Sequence, residues 1–386
     1  MSRNIVLVTG SRSEYGLLRP IALALRNFEN VEYGFAVTGC HLVDDYGRTA
    51  ELVKEEGCPV WGEVPMYETL GGGFEQLPGA LARGVLGLQK VLTERKADMV
   101  LVLGDRLEAL AGALAGYFKR LAVAHVHGGE TTDHHMDDST RHAITRFAHL
   151  HFPATERSAE RLRRMGEEPW RIHRCGAPGL DDIAAAGAPP KEELLARFGL
   201  DCKRPFVILL FHPETSAYLE AGSQVRCILE VLRDIGAAIL ALYPNGDPGS
   251  ELIVQELKRF EAEAPAGSFF LAQHLKRKEF LQALKTADAL VGNSSCGLIE
   301  ASFTKTPTLN VGQRNRNREH GANVRFVPVE KQAIARALRE ILSPAFRSSL
   351  SRAPCPWGDG RAGERIARVL AEVRLDDRLL SKRLTL

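Results

Sequence analysis

The feature that most constrains this chain is a series of short apolar runs, separated by segments of helical period, that occurs twice. Residues 5–9 (Ile-Val-Leu-Val-Thr) begin it, followed by a Gly/Ser turn and an amphipathic stretch at 17–26. Runs at 33–37, 99–103 and 122–126 repeat the theme, and helical-period segments at 107–118 and 140–148 follow the last two. Such runs are apolar on both faces, which suits parallel strands buried between two layers of helices. The series restarts at 206–211, 238–243, 269–271, 289–291 and 308–311. The expected fold class is α/β, with two Rossmann-like domains facing each other across a cleft. The seam falls within 176–187, bordered by Gly-Ala-Pro-Gly at 176–179 and Ala-Gly-Ala-Pro-Pro at 186–190, which favour turns over helix. That places an N-terminal domain at 1–178 and a C-terminal domain at 179–360, with a last helix at 361–386 packing back on the first.

Composition narrows the class of partner. The 386 residues suffice for two cores, and a net charge of +2, with basic residues spread along the chain, argues against nucleic-acid and membrane partners. Seven cysteines, an odd number without a C-x-x-C pair, fit neither a disulfide framework nor a zinc cluster, and a reducing cytoplasm suits them best. The apolar run before Gly10 is too short for a signal-peptide core, and no apolar stretch is long enough to span a bilayer. A cytoplasmic protein is expected.

Ligands in doubly wound sheets sit at the carboxyl ends of strands, so the loops there carry the search. After the first run comes Thr-Gly-Ser-Arg-Ser-Glu-Tyr-Gly at 9–16, which does not match G-x-G-x-x-G. Arg12 at the mouth of a helix suits a phosphate, or is a surface residue of a turn. Asp105, in Gly-Asp-Arg at 104–106, either caps the next helix or projects a carboxylate into the cleft. Residues 125–142 pack five histidines and four acidic side chains into eighteen positions. His134 and His135 are adjacent and no H-x-x-x-H spacing occurs, so no metal site and no cofactor are expected. The stretch reads as an acid/base loop followed by a helix at 141–148, capped by Asp138 or Ser139.

In the second half, His212 stands at a strand end, where it is a core residue or a general acid. Gly-Asn-Ser-Ser-Cys-Gly at 292–297 leads into a helix on which Glu300 lies about one and a half turns along. Ser294 and Ser295 there cap the helix, cradle an anion, or do both. Glu300 is placed to reach the hydroxyls of a ribose. Arg314, Arg316 and Arg318 form either a solvated loop or the closure of the anion site. A phosphate cradle on one domain, with acids and histidines on the other, calls for a bridging nucleotide-sugar.

Several motifs carry a resemblance that runs in order over nearly the whole chain. They include Gly-Ser-Arg-Ser-Glu-Tyr at 10–15, Thr-Gly-Cys-His-Leu-Val-Asp-Asp-Tyr-Gly at 38–47, Gly-Asp-Arg at 104–106 and Asp-Asp-Ser-Thr-Arg-His-Ala-Ile-Thr at 137–145. His-Pro-Glu-Thr at 212–215, Tyr-Pro-Asn-Gly-Asp at 243–247, Gly-Asn-Ser-Ser-Cys-Gly at 292–297 and Gly-Gln-Arg at 312–314 continue it. The chain resembles the hydrolysing UDP-N-acetylglucosamine 2-epimerases of sialic- and related nonulosonic-acid biosynthesis, which have a glycosyltransferase-B-like fold. The resemblance implies anti elimination of UDP to a 2-acetamidoglucal, then addition of water to give N-acetylmannosamine. The alternatives are the same chemistry on UDP- or GDP-linked N,N'-diacetylbacillosamine (the legionaminic-acid route) and a glycosyltransferase of this fold. The family's catalytic acids map onto Asp105 and onto Asp137 or Asp138, its histidine onto His212 and its ribose-binding glutamate onto Glu300. Arg12, Arg314, Ser294 and Ser295 are implied to stabilise the leaving charge, with His41, Arg106, Arg141, Asn245 and Gly297 as further substrate or nucleotide contacts. One departure stands out: where relatives have His-x-Glu-Gly-Gly, this chain has His-Val-His-Gly-Gly. Either His127 takes over the proton transfer, or Glu130 does. A homodimer or homotetramer is implied, and no cofactor.

Overall fold

The computed structural model describes residues 2–43, 49–67, 74–131, 135–244 and 249–385. It divides into two compact units, Met1–Asp182 with Trp357–Leu386, and Ile183–Pro356. In the first unit six strands lie in one parallel sheet: β1 (Arg3–Thr9), β2 (Val31–Thr38), β3 (Val60–Val64), β4 (Met99–Leu103), β5 (Ala122–Val126) and β6 (Leu150–Phe152), in the order β3-β2-β1-β4-β5-β6. The second unit repeats that order with β7 (Phe206–Leu210), β8 (Ala238–Leu242), β9 (Phe269–Ala272), β10 (Ala289–Gly292), β11 (Thr308–Val311) and β12 (Val324–Val327), arranged β12-β11-β10-β7-β8-β9.

The apolar runs explain the layering. On β1, Ile5 and Leu7 enter one core cluster and Val6 and Val8 the other; on β4, Met99, Leu101 and Leu103 face one way and Val100 and Val102 the other. Side chains alternate along a strand, so a continuous apolar run gives both faces something to bury. On β7, Val207 and Leu209 divide from Phe206 and Ile208 in the same way, and Phe211 just past its end joins the first pair. The α/β class expected from the sequence is therefore what the structure has.

Three strands have no counterpart in the apolar pattern: β3, β6 and β12, each at the edge of its sheet. Edge strands are covered on fewer sides and tolerate polar residues, as Glu63 and Arg325 show. A helix at Ala362–Glu372 packs on the helix Arg12–Leu25, and the segment after it is bound by Arg171. That guanidinium is fully buried and donates to the carbonyls of Leu379, Arg378 and Ser381. No helix among the described residues is long and apolar enough to cross a membrane.

In both sheets the strand order reverses beside the first strand of the unit, between β1 and β4 and between β7 and β10. Crossover connections leave in opposite directions there, and the loops part to leave room for a ligand. Arg12, Asp105, Arg106, His212, Ser294 and Ser295 emerge at these two places, while His127 and Glu130 follow the next strand along in the first sheet, β5, and Arg314 follows β11 in the second.

Candidate active site

In the first unit the proton-transfer candidates form a connected chain. Beyond β4, Gly104 turns the backbone through φ +76° and Asp105 follows. The helix Leu107–Phe118 has Arg106 at its N-cap with no side-chain cap, so Asp105 does not serve that helix. Its carboxylate instead forms an ion pair with Arg141 on the helix His135–Phe147. Arg141 is 4% exposed, and its second terminal nitrogen donates to the His127 carbonyl at 2.8 Å. His127 follows β5 with φ +62°, a left-handed conformation rarely adopted by histidine, and its N–H donates to Phe152 O at 3.1 Å. Its Nδ1 lies 2.5 Å from Glu130 Oε1, both side chains being buried, while Nε2 has no hydrogen-bond partner among the described residues.

The other histidines of the stretch do different work. His125 is fully buried, with Nε2 on the Gly104 carbonyl at 2.7 Å and Nδ1 near Thr145 Oγ1 at 3.3 Å. Burial pushes it down to about 3, so it is a neutral tie between the β4 and β5 loops. His134 lies outside the described residues. Among the described residues no three His, Cys, Asp or Glu side chains gather as a metal site would require. The helix expected at 141–148 begins earlier, at His135. Asp137, Asp138 and Ser139 therefore stand within it, the two aspartates in its first turn, and neither Asp138 nor Ser139 caps a helix starting at 141. Carboxylates in a first turn face the positive end of the helix dipole, which accounts for two acids there.

Arg12 opens the helix Arg12–Leu25, capped by Ser11, and is exposed. His41 is wholly buried, with Nε2 3.0 Å from Thr9 Oγ1 and Nδ1 2.7 Å from Thr49 Oγ1, and burial pushes it down to about 4. Both its nitrogens are used within the protein. Arg106 reaches a pair of carboxylates that sequence reasoning missed: Glu108 at 3.4 Å and Glu14 at 3.7 Å. Burial first, then the charge of Glu108, pushes Glu14 up to about 8, although Gly10 N–H donates to it at 2.7 Å. Room for Glu108 comes from Gly39, where a Cβ would stand 2.3 Å from its Oε1. Nothing in the local sequence marks two glutamates 94 positions apart as neighbours; the adjacency of β1 and β4 makes them so.

In the second unit, Gly292 on β10 pairs in register with Leu210 on β7, so the loops leave side by side. Asn293 fastens them: its side chain accepts from the His212 N–H at 2.7 Å and donates to the His212 carbonyl at 2.9 Å. His212 is 4% exposed, and burial followed by the charge of Arg314 pushes it down to about 4. Arg314 is placed by Glu214, which accepts the backbone N–H of Gln313 and of Arg314 at 2.6 and 3.2 Å. Its guanidinium donates to the Pro213 carbonyl at 3.3 Å. Ser294 caps a single tight turn, Ser295–Gly297, after which the chain restarts as the helix Glu300–Thr304. Glu300 is thus the first residue of a short helix, not one and a half turns along a longer one.

His212, Ser294, Ser295 and Arg314 meet at one cavity of about 380 Å³, which Gln273, His274, Leu275 and Phe280 also line. These last four were not singled out from the sequence. Residues 273–275 form the loop directly after β9, so the strand-end rule that found the others applies equally to them. Gly297 and Glu300 do not line this cavity. The Gly297 carbonyl accepts from Asn323 at 3.2 Å. Arg316 and Arg318 bond within their own loop, to Gln313 and Asn315. Asn245 lies outside the described residues.

Two parallel sheets of identical winding, each with polar groups at its reversal point, define an α/β protein of the glycosyltransferase-B-like class. The chain belongs to the UDP-N-acetylglucosamine 2-epimerase family, whose profile matches residues 23–371. It is 34% identical over 382 residues, 99% of both chains, to the UDP-N,N'-diacetylbacillosamine 2-epimerase (hydrolyzing) of Legionella pneumophila. It is 33% identical over 341 residues, 88% of both, to the UDP-N-acetylglucosamine 2-epimerase of Neisseria meningitidis serogroup B. Among solved structures it is similar in fold to Neisseria meningitidis UDP-GlcNAc 2-epimerase bound to UDP-GlcNAc, with TM-score 0.79 and 17% identity over 96% of this chain and all (100%) of that one.

Proposed function

We propose that the chain is a hydrolysing 2-epimerase: it eliminates UDP from a UDP-linked 2-acetamido sugar and adds water to release the free sugar with C2 inverted. The observation that carries this reading is the linked set Asp105–Arg141–His127–Glu130, proton-transfer groups held by one another at the end of the first sheet. The C2 hydrogen is weakly acidic, so its removal must be coupled to departure of the diphosphate and assisted by a positioned base. As the C2–H and C1–O bonds break, C1=C2 forms and UDP carries away the electron pair; water then gives hydroxyl to C1 and a proton to C2 on the other face. Asp105, with Asp137 or Asp138, supplies further acid/base capacity. Arg314, Ser294 and Ser295 receive the leaving diphosphate, and the cavity of about 380 Å³ they share holds the nucleotide. A phosphate beside His212 favours the imidazolium that burial suppresses, which makes that residue a proton donor to the leaving group.

UDP-N-acetylglucosamine, giving N-acetylmannosamine, is the first substrate to try. UDP-N,N'-diacetylbacillosamine, giving 2,4-diacetamido-2,4,6-trideoxymannose, is the second, favoured by the end-to-end match to the Legionella enzyme. Both products lead toward nonulosonic acids. Each sugar nucleotide is incubated with the protein in D₂O. Release of UDP together with a manno sugar carrying deuterium at C2 supports the proposal and names the substrate. Transfer to an acceptor without label at C2 makes the chain a glycosyltransferase, and two untouched sugar nucleotides refute the reading.

A further inference from the structure

We infer that His127 and Glu130 act as one unit, in which Glu130 is a positioning residue and His127 Nε2 is the atom that takes the proton from the sugar. The sequence leaves a choice between the two side chains; the geometry removes it. A carboxylate can only accept, so the contact at 2.5 Å puts the ring proton on Nδ1 and leaves the lone pair on Nε2. This is the division of labour of any carboxylate–imidazole pair: the acid fixes tautomer and orientation, and stabilises the imidazolium once the proton arrives.

The bland alternative is a core histidine with one nitrogen satisfied. His151 is such a residue: its Nδ1 is likewise without a partner among the described residues, but it sits in a regular position of β6. His127 differs in three respects. It stands past the end of β5 in the left-handed conformation at φ +62°. Its backbone is held there from both sides, by the Phe152 carbonyl and the Arg141 guanidinium. That same guanidinium grips Asp105, which couples the imidazole to the acid beyond β4. Strain of this kind persists where surrounding structure over-determines it, and it gathers at sites that need a side chain aimed in one direction. Nε2 is shielded from solvent and has no hydrogen-bond partner among the described residues, so no described group of the protein uses its lone pair. In the elimination the C2–H bond breaks toward Nε2, its electrons form C1=C2, and the C1–O pair leaves with UDP. In the second half-reaction the imidazolium or a neighbouring acid returns a proton as water adds.

The inference rests on the hydrolysing 2-epimerase reading, and two measurements separate their fates. His127→Asn keeps the fold, because asparagine tolerates left-handed backbone and its amide can still donate to Glu130, but it has no base. UDP release should fall by roughly 10²–10⁴-fold in kcat, with KM little changed, and C2 deuteration should fall with it. Glu130→Gln should lower kcat by roughly tenfold or more at similar KM. The ¹⁵N spectrum of histidine-labelled protein should show the wild-type His127 ring as a single Nδ1–H tautomer, and a mixture in Glu130→Gln. A His127→Asn enzyme that turns over at the wild-type rate overturns the inference. So does a wild-type ring protonated on Nε2, and that reading requires no turnover and stands even if neither sugar nucleotide is the substrate.

Discussion

Acid should unfold the first unit, because four of its histidines are buried in neutral form. Burial pushes His41, His149 and His151 down to about 4 and His125 down to about 3. In the unfolded chain each titrates near 6.5. Above that pH neither state carries the proton, and these groups are silent. Below it the unfolded chain binds protons that the folded unit refuses, so stability falls with pH until the folded value is reached. Between pH 7 and pH 5 each ring costs a little under about 2 kcal/mol, or about 7 kcal/mol together. Glu14 has the opposite sign: raised to about 8, it is protonated when folded and ionised when unfolded, and it offsets about 2 kcal/mol over the same interval. The net loss of about 5 kcal/mol is comparable to the whole stability of an ordinary domain, about 5–15 kcal/mol. In the second unit the same effect on His212, pushed down to about 4, accounts for about 2 kcal/mol. Calorimetry at the two pH values should show the first unit's transition falling by about 10–20 °C. Unfolding near pH 5.5 should take up about three protons, four on the histidines less one lost from Glu14. A transition that moves by less than about 3 °C, or unfolding without net proton uptake, refutes the reasoning.

Arg141→Lys cannot bridge Asp105 and the His127 carbonyl at once; it should cost about 2–3 kcal/mol in urea denaturation, the upper range being discounted because Asp105 is partly exposed, and kcat should fall with it. An unchanged urea midpoint would show the bridge to be idle. Gly292→Ala puts a Cβ 1.9 Å from the Leu210 carbonyl oxygen at φ +142°, so the second unit should lose about 3 kcal/mol or more, read as a lower midpoint for that unit. Arg171→Leu strands the carbonyls of Arg378, Leu379 and Ser381 and should destabilise the first unit by about 3–5 kcal/mol. Limited proteolysis should then cut the C-terminal segment that resists it in the wild type.

How far the sequence reaches depends on what each signal rests upon. Central strands such as β4 and β5 are legible residue for residue, because burial on both faces selects apolar side chains, with His125 on β5 accommodated by its bond to the Gly104 carbonyl. Edge strands β3, β6 and β12 are not: an open edge admits Glu63 or Arg325, and β6 is only three residues long and carries the buried His151, paired with Glu167. The start of the helix His135–Phe147 is misread for a different reason: Asp138 and Ser139 are good caps, but an aspartate such as Asp138 serves a first turn equally well.

The sequence by itself determined the class of fold, its doubling and the family, because these follow from periodicity and from motifs read in order. Which groups work together was decided only by tertiary structure. Asp105 with Arg141, Glu14 with Glu108 and His212 with Asn293 are pairs made by strand order, and no local pattern encodes a neighbour across a crossover. Even His127 and Glu130, three positions apart, read as rivals in the sequence. They become partners because a left-handed turn, held by Phe152 and Arg141, brings one ring nitrogen onto the carboxylate and leaves the other without a partner among the described residues.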